Sequence, residues 1–199
     1  MGDTTDPADR VYDAGGKGPQ DSADQAEAII TVRFEPSRHN GEDFRCARSR
    51  RVQEFFSRDG PQFLSRNYCR VFVLPSETDP TRIRAFYTLS PGLVQITDVS
   101  KTQQRRLLSG LPVPMARIGF LGRDDREPKE LGLGRVMLLD AALRVQRCED
   151  MTAWGLYLDA ETEDVAKWYE KCRFMRTVSK RLVMYASLRT VLGSGGFST

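Results

Sequence analysis

Histidine is nearly absent: His39 is the single one among 199 residues. That argues against metal sites built from several imidazoles, and it leaves one candidate for a Ser-His-Asp or Cys-His base. His39 sits in the polar run Ser37-Arg38-His39-Asn40-Gly41, which reads as a loop, and it is not taken as catalytic. Cysteine is sparse too. Cys46, Cys69, Cys148 and Cys172 form no C-x-x-C pair, and the last two fall on predicted helices, so reduced thiols in a cytoplasmic protein are expected rather than a disulfide framework. No apolar run approaches ~20 residues, so no transmembrane helix is expected. The N-terminal MGDTTDPADR lacks the apolar segment of a signal peptide. No internal repeat is visible, and no metal is expected.

What remains is a mixed chain, 40% apolar and 29% charged, long enough for one domain with a full core. Its charge is uneven. Residues 1–28 carry a net charge of −5, with Gly15-Gly16 and Gly18-Pro19 and almost no large apolar side chains, and they read as a disordered acidic tail. The remainder is +8, which favours polyanionic partners: coenzyme phosphates, nucleic acid, or both. The folded domain is expected over 29–190, followed by a loose end over 191–199 that contains GSGGFST.

Periodicity gives the elements. Ile30, Val32 and Phe34 alternate as a strand. Asp43–Ser57 reads as a helix ended by Gly60-Pro61, with Arg45, Arg48, Arg50 and Arg51 on its outer positions. Cys69–Leu74 and Arg82–Leu89 form a hairpin, and Lys101–Leu108 a short basic helix carrying Arg105 and Arg106. Met115–Leu121 is a strand, Thr152–Leu158 a buried one, Asp164–Cys172 a helix and Arg181–Leu188 a last strand.

The stretch Met115–Arg147 organises the rest. An apolar strand enters a turn with Pro128, Gly132 and Gly134, and the turn opens into a helix on which Val136, Leu139, Leu143 and Val145 recur, with Asp140, Arg144 and Arg147 at polar positions. Amides at a helix start have no intrahelical partners and lie at the positive end of its dipole, and glycines let a bulky anion approach them. The turn departs from a dinucleotide fingerprint, because Met137 stands where the third glycine belongs, and from a Walker loop, because Arg135-Val136 replaces Lys-Ser/Thr.

Three stretches then carry a resemblance: Ala85-Phe86-Tyr87-Thr88-Leu89-Ser90, the strand and turn RIGFLGRD…LGLGR, and Trp168-Tyr169-Glu170-Lys171-Cys172-Arg173-Phe174. In sequence and spacing, over roughly residues 30–190, the chain resembles a GNAT-family N-acetyltransferase and is similar to the toxins of bacterial type II toxin–antitoxin pairs. Lys129 stands where the family motif [RQ]-x-x-G-x-[GA] has Arg or Gln, and Arg173 where a glycine is usual. The resemblance implies an α/β fold with a mixed central sheet flanked by helices, and acetyl-CoA as cosubstrate. The coenzyme would be held by Leu121, Gly122 and Arg123 on the strand and by Lys129, Glu130, Leu131, Gly132, Leu133, Gly134 and Arg135 at the turn. It implies Tyr169 as the acid that protonates the leaving thiolate. It also implies an aminoacyl-tRNA acceptor, a cognate DNA-binding antitoxin and a homodimer. Tyr87 and Thr88 are expected at the acceptor pocket, with Arg48 and Arg51 on the tRNA backbone. Three functions stay open at this point: an acetyltransferase toxin that blocks translation, an acetyltransferase of a small amine or a protein, and a non-catalytic binding module of the same fold.

Overall fold

The computed structural model describes residues 30–108 and 110–193; the proposed tail over 1–28 and residues 194–199 of the expected C-terminal end lie outside the described residues. Seven strands form one sheet in the order β1-β2-β3-β4-β5-β7-β6. They are β1 Val32–Arg33, β2 Arg70–Pro75, β3 Ile83–Val94, β4 Val113–Arg123, β5 Gly155–Asp159, β6 Met175–Arg176 and β7 Val183–Ser187. Only β4 and β5 pair parallel, as a strand–helix–strand crossover requires. The helices are α1 Arg50–Gln53, α2 Gly60–Ser65, α3 Lys101–Gln104, α4 Leu133–Gln146, α5 Glu163–Lys171 and α6 Leu188–Leu192.

Alternation along β2 separates two cores. Phe72 and Leu74 face the cluster under α4, α5 and α6; Val71 and Val73 face the cluster under α1, α2 and the π-helical turn Phe55–Asp59. The second cluster is aromatic: Phe55 lies 4.5 Å from Phe120 and 5.1 Å from Phe86 between ring centroids, and Phe56 lies 4.7 Å from Phe86. Such pairs add about 0.5–1.5 kcal/mol each beyond their buried area. Gly122 lets α1 approach, since a Cβ there would lie 2.5 Å from Val52 Cγ1. A bulge in β4 sets this face. Tyr87 pairs with Leu121 but Leu89 with Ile118, so Thr88 faces two residues. Ile118 consequently packs under α4 while Phe120, two residues on, packs under α1. Thr88 Oγ1 accepts from the Phe120 amide at 3.0 Å and repairs the ladder.

Several expectations need correcting. The helix over Asp43–Ser57 does not form as one piece. The backbone amides of Arg45, Cys46 and Ala47 go to the side chains of Asp124, Gln53 and Asp125 at 3.1, 2.5 and 2.6 Å, so helix begins only where Ser49 caps α1. Arg45 and Arg48 therefore lie on the preceding loop. Gly60-Pro61 opens a helix instead of closing one, because proline fits the first turn, where its missing N–H is no loss. The basic helix ends at Gln104, and residues 188–192, part of which was read as strand, form α6 on a Ser187 cap. Asp140, read as a polar position of the amphipathic helix, is 3% exposed. It accepts from Tyr87 Oη at 2.6 Å, Thr31 Oγ1 at 2.5 Å and the Ile30 amide at 2.7 Å. Arg144 bonds Tyr87 Oη and the Thr31 carbonyl and stacks on Phe72. The network bolts the first described residues to β3 and α4.

Candidate active site

The parallel pairing of β4 and β5 stops at Ile118↔Leu158. Beyond it β4 runs on to Arg123 while β5 ends at Asp159 and turns into α5, so the sheet splits at its centre. The amides of Phe120 and Asp124 bond to Thr88 Oγ1 and the Arg84 carbonyl, on the β3 side. Alternation along an extended strand therefore turns the peptide groups of Leu121 and Arg123 into the split. Among the described residues, no strand pairs with β4 on that side there.

The loop after β4 is held hard. Asp124, 0% exposed, takes a bidentate pair from Arg126 at 2.8 Å and the Arg45 amide. Burial alone would raise its pKa, but those bonds outweigh it and hold the carboxyl below the usual range. Glu127, also buried, pairs with Arg82 and Arg84, and Arg123 donates to the carbonyls of Asp124 and Glu127. Lys129–Leu131 then makes a 3₁₀ turn, and Gly132, at φ 60°, precedes α4. This left-handed conformation costs glycine nothing, and a Cβ at Gly132 would meet open space. The helix start has no side-chain cap and no acidic residue in its first turn. The Gly132 and Arg135 amides donate to the Lys129 and Gly132 carbonyls at 3.1 and 2.8 Å, so Leu133 and Gly134 keep the open amides of this helix start.

α5 closes the head of the split. A Cβ at Gly134 would lie 3.0 Å from the Trp168 ring, so the start of α4 meets the later half of α5 there. Thr162 caps α5, and its far end is a Schellman turn: Phe174 N bonds Tyr169 O at 3.0 Å and Arg173 N bonds Glu170 O at 2.9 Å. The apolar contact of that motif is Tyr169 against Phe174, with centroids 5.5 Å apart, and Trp168 packs edge-on against Tyr169 at 4.8 Å. Tyr169 is 6% exposed, and burial pushes its hydroxyl well above the ordinary value near 10, with neighbouring Cys172 adding to the shift. Arg135 contacts Cys172, tying the first turn of α4 to the end of α5.

On the opposite face, a recess of about 470 Å³ lies between α1, the π-helical turn and the residue two beyond β5; Arg50, Arg51, Glu54, Arg58, Asp59 and Glu161 line it. Glu54 bridges Arg50 at 2.6 Å and Arg58 at 3.0 Å, and Arg51 lies over the Phe120 ring, 4.7 Å from its centroid. His39 is elsewhere, in a cavity of about 760 Å³ that no β4 or β5 residue lines, with Nδ1 on the Glu35 main chain.

The fold matches a group of solved structures. A tyrosine-to-phenylalanine mutant of KacT superposes with a TM-score of 0.71 at 18% identity, covering 81% of this chain and 95% of that one. The fold is that of the GNAT acetyltransferases. AtaT complexed with acetyl-methionyl-tRNAfMet superposes at 0.63 with 15% identity, and a mutant AtaT bound to the C-terminus of the antitoxin AtaR and acetyl-CoA superposes at 0.65 with 15% identity. The two cover 81% of this chain and 95% and 94% of theirs. In sequence, the Probable toxin TacT of Sinorhizobium fredii (strain NBRC 101917 / NGR234) is 24% identical over 171 residues, 80% of this chain and 93% of the relative. No model of a known protein family matches.

Within the GNAT fold the expected site residues divide. Leu121 borders the split, Leu133 and Gly134 stand at its head, Tyr169 lies in the core behind the Trp168 ring that faces Gly134, and Arg51 borders the recess. Gly122 and Arg123 act through packing and loop bonds as described, and Lys129, Glu130 and Leu131 are exposed on the 3₁₀ turn. Tyr87 and Thr88 were expected to meet the acceptor, but they are 0% and 1% exposed; the Asp140 network takes the hydroxyl of one and the bulge that of the other. Arg48 is exposed on the loop before α1 and does not line the recess. Lys101, Arg105 and Arg106 belong to a segment packed near Val113, the far end of β4 from Phe120. Sequence reasoning missed the recess carboxylates Glu54, Asp59 and Glu161. It also missed the clamp of Asp124, Arg126 and Glu127, although a charged run directly after a buried strand was a usable signal.

Proposed function

We propose that the chain is an acetyl-CoA-dependent N-acetyltransferase that acetylates the amino group of aminoacyl-tRNA, the toxin of a pair whose antitoxin binds DNA. The observation that carries the reading is the split between β4 and β5, headed by the uncapped glycine start of α4 and flanked by a charged recess. The likeness to the Probable toxin TacT, and to AtaT solved with acetyl-methionyl-tRNAfMet and with AtaR and acetyl-CoA, supports it.

Each part has a task. The Leu133 and Gly134 amides take pyrophosphate oxygens, as an uncapped helix start does. The peptide groups of Leu121 and Arg123 pair with pantetheine amides like a missing strand, and they present N–H groups to the thioester carbonyl oxygen. The recess seats the acceptor. The amine nitrogen attacks the carbonyl carbon, so that a C–N bond forms and the C–S bond breaks. Tyr169 gives its proton to the leaving sulfur, and the proton released by the amine, through solvent, restores the Tyr169 hydroxyl. The raised pKa of Tyr169 keeps it protonated at neutral pH, the form a donor needs. Purified protein with labelled acetyl-CoA and charged total tRNA tests the reading. Label on the aminoacyl group is expected; label confined to free amines or proteins would overturn the choice of acceptor.

A further inference from the structure

Six charged side chains line the recess, three of each sign, and most of them neutralise one another. Glu54 is held between Arg50 and Arg58, and Asp59 lies 3.5 Å from Arg58. Two are left over. Among the described residues, Glu161 has no ion pair or hydrogen bond, and the contact of Arg51 is the aromatic face of Phe120, which places the guanidinium without discharging it. The recess thus offers one unmatched negative charge beside β5 and one unmatched positive charge on α1.

We propose that these two residues recognise a bipolar acceptor: Glu161 takes the ammonium of the aminoacyl group, which loses one proton to solvent to become the attacking amine, and Arg51 takes the phosphate of the terminal nucleotide. The inference rests on the aminoacyl-tRNA reading above and deepens it. An aminoacyl-adenosine end carries an ammonium and a phosphate joined through an ester and a ribose, so its charges are opposite and separated, as those of the recess are. A simple cationic amine would have no use for the unmatched guanidinium, which would repel it. A purely anionic acceptor would be repelled by Glu161. Both residues are exposed and reach the acceptor, not the thioester, so their effect belongs in KM.

The test uses the full chain, charged total tRNA, and the methyl ester of whichever amino acid the enzyme labels on tRNA. The ester keeps the amine and lacks the phosphate. Glu161→Gln is expected to lower kcat/KM about tenfold on both substrates, mainly through KM. Arg51→Ala is expected to lower it about tenfold on tRNA, with a loss on the ester at least fivefold smaller. Arg51→Lys, which keeps charge but loses the flat contact with Phe120, should fall between, and it carries the test if Arg51→Ala melts early. Equal losses on both substrates in Arg51→Ala, or a Glu161→Gln enzyme within twofold of wild type, would overturn the proposal while leaving the acetyltransferase reading intact. A wild-type enzyme that labels no aminoacyl-tRNA would overturn both the proposal and the choice of aminoacyl-tRNA as acceptor.

Discussion

A glutamate at position 134 puts charge where the anion seat should be. Gly134 stands in the first turn of α4, and its amide is one of the two donors left for a phosphate. A carboxylate about 4 Å from a pyrophosphate charge, at an effective dielectric near 20, costs about 4 kcal/mol, or about a thousandfold in Kd. Volume alone also matters, because a Cβ at this position lies 3.0 Å from the Trp168 ring, which must shift by a few tenths of an ångström. Gly134→Gln separates the two effects: it carries the same bulk without the charge. Calorimetry of acetyl-CoA binding should show Gly134→Gln weakened modestly and Gly134→Glu weakened by a further two to three decades. Raising salt from about 0.1 M to about 1 M shortens the screening length from ~10 to ~3 Å, so that gap should narrow. Equal affinities for Gln and Glu, at any salt, would mean that no phosphate sits at this helix start.

Tyr169→Phe should leave acetyl-CoA binding within twofold and lower kcat by about 10²–10⁴, measured under single turnover; an unchanged rate would reassign Tyr169 to packing alone. Arg173 has φ 66°, where the Schellman turn wants glycine. Arg173→Gly should raise stability by about 0.5–1 kcal/mol and Tm by about 2–4 °C. Asp124 binds a proton less readily folded than unfolded, so its stabilisation is present above the unfolded carboxylate pKa near 4 and is lost as pH falls through the lower folded value. Asp124→Asn should cost about 1–3 kcal/mol at pH 7 and flatten the fall in stability below pH 4, as denaturant titrations across pH would show.

The strand–turn–helix of β4 and α4 was legible because glycine spacing, a buried strand and a long helix report on local backbone, and Trp168-Tyr169 followed from helical period. What escaped was tertiary. Asp140 looks like a solvent position on any helical wheel, and it is the partners Thr31 and Tyr87, over 50 residues away, that bury it. The arginine loop looked helical because its propensity is helical, yet two aspartates from beyond β4 capture its amides. Tyr87 was read from its strand as facing substrate, but faces are set by the bulge and by what covers them. The recess draws on α1, the π-helical turn and the turn after β5, so no short window of sequence contains it.

The split between β4 and β5 has a consequence for how the protein breathes. Central strands are ordinarily the slowest part of a sheet to exchange amide hydrogens, and edges the fastest. Here an edge lies at the middle. The amides of Leu121 and Arg123, three strands from either margin of the sheet, should exchange as readily as those of an outer strand, while Phe120 and Asp124 beside them stay protected by Thr88 and Arg84. Protection along β4 would then alternate residue by residue. A molecule that fills the split, of whatever chemistry, would complete the sheet and erase that alternation.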